Sequence, residues 1–111
     1  MEFTEKNLTR QAVGSLAEIL YTVPVDTTAI IKDIQLCNNS NTNCYITIWF
    51  VPNNSINSDE NVIFKEWVIP SNNFYHWNGY QVLDTPGDTI MALSEEMDKI
   101  TVSISGAELK I

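Results

Sequence analysis

Ile100-Thr101-Val102-Ser103-Ile104-Ser105, close to the end of the 111-residue chain, sets a β-branched apolar residue on every second position and a hydroxyl on each position between. Successive side chains of a strand point to opposite faces, so this run has one buried and one wet face. That pattern belongs to antiparallel sheets packed on one side. Working back from it, further short apolar runs recur every eight to fifteen residues, each closed by a turn signal. They cover 16–23 (stopped by Pro24 and Asp26), 27–37, 44–51, 62–69 (stopped by Pro70), 81–83 and 90–94. Evenly spaced strands with no intervening helical pattern predict an all-β, antiparallel β-sandwich of about seven to eight strands, with jelly-roll and immunoglobulin-like orders both open.

Only the first residues break the rhythm. Between Thr4 and Ser15 the apolar positions are sparse and Gly14 interrupts them, so no continuous helical face exists. Residues 1–14 are expected as an N-terminal arm or short helix, with 15–111 as a single sandwich domain. A chain of this length forms one core and buries roughly two-thirds of its unfolded surface.

The net charge of −8, from 14 acids against 6 bases, repels phosphate backbones and anionic lipid, so neither nucleic acid nor a membrane surface is an expected partner. MEFTEKNLTR carries charges and no apolar run, unlike a signal peptide, and folding in a cytosol is expected. Cys37 and Cys44, seven apart, fit neither a zinc pattern nor a redox CxxC. If the runs at 27–37 and 44–51 form a hairpin across the Asn-rich turn, matching apolar faces opposes Leu36 to Ile46 and Ile34 to Ile48. Cys37 then points outward and Cys44 inward, leaving two free thiols.

Candidate chemistry is thin. His76 is the one imidazole, and no G-x-S-x-G elbow supplies a nucleophile; Gly14-Ser15 lacks the second glycine. One histidine and two distant cysteines do not assemble a zinc shell, and neither a catalytic group, a metal nor a cofactor is expected. Asp84 and Asp88 flank Thr85-Pro86-Gly87, where calcium competes with a simpler reading. Pro then Gly suits a type II turn whose edge aspartates accept backbone N–H bonds, and the turn is favoured.

The aromatics are more informative. Tyr75, Trp77 and Tyr80 surround Asn78-Gly79, and strand alternation turns Trp49 and Trp67 away from the faces of Ile46, Ile48 and Phe64. Such rings could stack a sugar or grip a protein. An interface asks only for area and shape, whereas a sugar also needs converging polar groups, so Trp49, Trp67, Tyr75, Trp77 and Tyr80 are expected at a subunit interface. A carbohydrate-binding module for host-surface recognition is the alternative.

Several segments together resemble a known family. Tyr21-Thr22-Val23-Pro24, then Thr27-Thr28 leading into a strand and Asn38-Asn39, then Trp77 to Ile90 (WNGYQVLDTPGDTI), then Ser105-Gly106-Ala107-Glu108-Leu109 are similar to small β-sandwich structural proteins of tailed-bacteriophage virions. The match spans 16–109. The long polar loop at 52–61 departs from that pattern, and the N-terminal arm has no counterpart in it. The resemblance implies a non-enzymatic virion component (capsid decoration, head-fibre base, or tail or neck accessory) made in the host cytoplasm. It implies a symmetric homo-oligomer, trimers being favoured, docked on other virion proteins such as the major capsid or tail proteins. An arm at 1–14 would then pair with a neighbour's sheet edge.

Overall fold

Ile100, Val102 and Ile104 do turn inward and are wholly buried, on the last of eight strands. A computed structural model describes residues 2–110, with side chains from residue 4. The strands are β1 (Glu2–Ala12), β2 (Glu18–Thr22), β3 (Thr27–Asn38), β4 (Cys44–Val51), β5 (Val62–Ile69), β6 (Phe74–Leu83), β7 (Thr89–Ser94) and β8 (Ile100–Lys110). Two antiparallel four-stranded sheets result, ordered β1-β8-β3-β6 and β2-β7-β4-β5. First pairs with last, second with seventh, third with sixth and fourth with fifth, the order of a jelly roll. Ile31, Ile34 and Leu36 of β3 and Ile104 of β8 meet Ile46 and Ile48 of β4 and Ile90 of β7 across the layer. Each such side chain contributes on the order of 1.5–3 kcal/mol by leaving water.

Three expectations need correction. The first segment is neither a helix nor a free arm: Glu2–Ala12 pairs antiparallel with β8, slipping register once between Asn7 and Thr9, and no helix occurs among the described residues. The run at 81–83 is the end of a ten-residue strand, β6. Most consequentially, β3 and β4 are not a hairpin, because they lie in opposite sheets. The stretch between them arches across the sandwich around Asn38, which is 1% exposed. Its Nδ2 donates to the carbonyls of Thr42 and Ile69, both at 2.9 Å, and its Oδ1 accepts from the N–H (3.0 Å) and Oγ (2.7 Å) of Ser40. A buried amide must fill its hydrogen-bonding capacity, and here doing so shapes the arch. Leu36 and Ile46 therefore face each other across the core rather than along a ladder. Cys44 is buried and Cys37 half-exposed, both free, as their facing predicts.

At 85–88 the expected turn is present: Asp88 N–H donates to Thr85 O at 3.0 Å and Gly87 sits at φ 93°, the third-position geometry of a type II turn. Both oxygens of the Asp88 carboxylate are taken by backbone, Oδ1 by Asn53 N–H at 2.8 Å and Oδ2 by Thr85 N–H at 3.2 Å. Gly106 answers a different constraint. β3 carries an extra residue between Ile31 and Asp33, at the point where Ile31 pairs with Gly106. A Cβ on Gly106 would lie 1.8 Å from the carbonyl oxygen of Ile30.

Candidate protein–protein interface

A sandwich has two open sides where its sheets end. On one, β1 and β2 face each other; on the other, β6 and β5. The β1–β2 side is closed by polar groups. Tyr21 of β2 donates its hydroxyl to Glu108 of β8 at 2.5 Å, and Lys6 of β1 holds the same carboxylate at 3.1 Å. Burial, then the bond to Glu108 and its charge, push the Tyr21 hydroxyl's pKa well above the ordinary 10.0. For Glu108, burial works against the charge, but the bonds from Tyr21 and Lys6 outweigh it and hold the carboxyl below its usual 4.5.

The β5–β6 side is apolar instead. Among the described residues eleven large hydrophobic side chains are exposed, and six lie on these two strands: Ile63, Trp67, Val68, Phe74, Tyr80 and Val82. Val68, Phe74 and Val82 pair with the outward-facing Tyr45, Cys37 and Ile30, so they stand on the outer faces of the two sheets. Phe64, Trp67 and Tyr75 form a ring cluster across the mouth between the sheets, with Trp67 and Tyr75 centroids 5.2 Å apart and Phe64 meeting Tyr75 edge-on at 5.9 Å. Trp67 remains 45% exposed. An aromatic cluster left open to water in this way makes the β5–β6 side the candidate contact site.

A backbone irregularity builds the cluster. Phe64 pairs with Ile48 and Trp67 with Ile46, so two residues of β5, Lys65 and Glu66, oppose one of β4, Thr47. Glu66 takes φ 47° there and donates its N–H to Thr47 Oγ1 at 3.0 Å. This bulge turns Trp67 to the same face as Phe64, reversing the strict alternation expected from sequence. On β6, Tyr75 pairs with Leu36 and Trp77 with Ile34, so both rings face inward at the rim of the core. A Cβ at Gly79 would fall 2.4 Å from the Trp77 ring, so the Asn-Gly pair leaves room for that indole to lie back.

The expected site residues therefore separate. Trp67 and Tyr75 meet at the open mouth, Trp77 packs against the core two residues further along β6, and Tyr80, 68% exposed, stands at the register slip of that strand. They do not form one flat platform. Trp49 is apart from them: it is 9% exposed and pairs with Met91 and Val62 outside the core cluster. Alternation puts Phe64 on the inward face and gives no reading of Phe74; bringing Phe64 against the Trp67 ring takes the bulge, and placing Phe74 on a strand takes the full length of β6. His76 Nε2 lies 2.8 Å from Asp33 Oδ1 on the outer face, both side chains well exposed, a surface pair of the kind worth at most about 1 kcal/mol. Among the described residues no group of three or more His, Cys, Asp and Glu is placed to hold a metal ion, and no helix is long and apolar enough to cross a membrane.

No protein-family model matches the chain, and no curated protein matches it in sequence. Solved structures do match its fold. A Bacillus endospore appendage protein, from a novel family of disulfide-linked pili, superposes with a TM-score of 0.59 at 13% identity, over 98% of this chain and 88% of that one. A chain of infectious bursal disease virus (Gx strain) superposes at 0.50 with 10% identity, over 96% of this chain but 31% of the viral one. At these identities the shared property is the fold.

Proposed function

We propose that this protein is a non-enzymatic structural subunit of a symmetric assembly, acting through protein–protein contacts. The observation that carries the reading is the β5–β6 side, where Phe64, Trp67 and Tyr75 form a ring cluster between the sheets that leaves Trp67 45% exposed. Trp67, Tyr75, Trp77 and Tyr80 are the interface residues, with Phe64 and Phe74 beside them. In finer terms, the motifs across 16–109 point to the virion of a tailed bacteriophage, as a decoration, head-fibre or tail accessory protein docked on a capsid or tail neighbour. Fold likeness to a pilus protein and to a virus particle protein supports a role in assemblies. Solution mass, and co-purification with particles from an infected culture, test the proposal. An oligomer that travels with particles is expected; a monomer at every concentration, absent from particles, overturns it.

A second reading has its own support: the likeness to the endospore appendage protein spans nearly the whole of both chains. On that reading the copies build a filament on a bacterial surface. Electron microscopy of the purified protein separates the two, since filaments formed without any other component favour the second.

A further inference from the structure

β1 is held unlike any other strand. Its pairing with β8 sets Thr4 opposite Glu108, Lys6 opposite Gly106, Thr9 opposite Ile104 and Gln11 opposite Val102, so the residues it turns to the interior are polar. Among the described side chains of this strand, Leu8, at the register slip, packs on the core and Thr9 is buried next to it. Main-chain bonding to β8 does the rest, helped by Lys6–Glu108 and by Asn7 Nδ2 donating to the hydroxyls of Ser103 (3.1 Å) and Ser105 (3.3 Å). Contact with the facing sheet is slight. At Val13 the situation changes abruptly. That residue is wholly buried, donates its N–H to Ile100 O at 2.9 Å and accepts from Asp98 N–H at 3.1 Å. Ala12 and Val13 thus mark the joint between a detachable ribbon and a fixed body.

Nearly everything β1 grips belongs to β8, and a second copy carries an identical β8. Exchanging the strand preserves the contacts and alters only the joint, which is the condition for domain swapping. Charge permits it as well. Residues 1–12 contain Glu2, Glu5, Lys6 and Arg10, two acids and two bases, so the net −8 resides entirely on the remaining residues. A neutral ribbon can approach an acidic neighbour that would repel the whole molecule.

We infer that β1 is an exchange strand, pairing with β8 of a second copy in the assembled state. The inference rests on the self-assembling role proposed above for the existence of that copy. Its test uses two full-length chains, both carrying Cys37→Ser, one also Asn7→Cys and the other Ser105→Cys, the second bearing a size tag. Mixed at assembling concentration and oxidised, they are expected to give a covalent heterodimer on a non-reducing denaturing gel that neither chain gives alone. In a chain carrying both substitutions, the cross-link is expected to move from within to between chains as concentration rises. Arg10→Cys with Ser103→Cys repeats the experiment at a second registered pair. An oligomeric mass with only intramolecular cross-links overturns the exchange and leaves the assembly standing. A mass fixed at 12.6 kDa at all concentrations removes both.

Discussion

The two open sides of the sandwich solve one problem in opposite ways. Where β1 meets β2, hydroxyl, carboxylate and ammonium bridge the sheets, and the exposed Ile19 of β2 and flanking Leu16 and Val25 form no ring cluster. Where β5 meets β6, rings fill the gap without sealing it, and Trp67 stays nearly half in water. Polar ties join the sheets within one molecule. Aromatic rings at the other side leave apolar surface in water, and on the role proposed above that is the side a partner would cover.

The contrast can be attacked from either side. Gly106→Ala strikes the β3–β8 core beside the polar edge and has the largest expected effect. A methyl 1.8 Å from Ile30 O cannot be housed without moving a strand, and a loss of at least about 3 kcal/mol, or failure to fold, is expected in denaturant titration. Trp67→Ala probes the open side. Because that ring is 45% exposed, the monomer should lose little, whereas association should weaken by about 2 kcal/mol, near thirtyfold, in sedimentation across a dilution series. Equal losses in both measurements would remove the distinction between the sides. Tyr21→Phe, on the polar side, should cost about 1–2 kcal/mol at neutral pH. That cost depends on acidity in a defined direction. Glu108 keeps its charge to lower pH in the fold than in the unfolded chain, so the stabilisation is complete above 4.5 and lost as pH falls below it. The gap between variant and parent should therefore narrow in acid, and a constant gap would dissociate Tyr21 from the carboxylate.

Facing was legible in the sequence wherever alternation was strict. Ile34, Leu36, Ile46, Ile48, Ile100, Val102 and Ile104 are all inward, and the turn at 85–88 follows from Pro86-Gly87. Sheet membership was not legible, because a period of two says which way a residue points and nothing about its neighbouring strand. Cys37 and Cys44 were thus oriented properly from a hairpin that does not exist. Trp67 was misoriented because Glu66 inserts a residue at positive φ, which no hydrophobic pattern announces. β1 escaped for a plainer reason: Thr4, Lys6, Thr9 and Gln11 give an inward face with no apolar signal to read. Of the candidate site, the inventory of aromatic rings is legible in the sequence, while their division between mouth, bulge and buried ladder depends on backbone detail.

The Asn38 arch has a mechanical side. Its amide links the far end of β3 to Ile69 on the opposite sheet, and Tyr21 with Glu108 links the sheets near the other end of β3. The two layers are thus pinned at diagonal corners, so sliding one over the other must break a pin before the greasy filling can slip. A domain pulled along its strands would meet those two fasteners as well as its core.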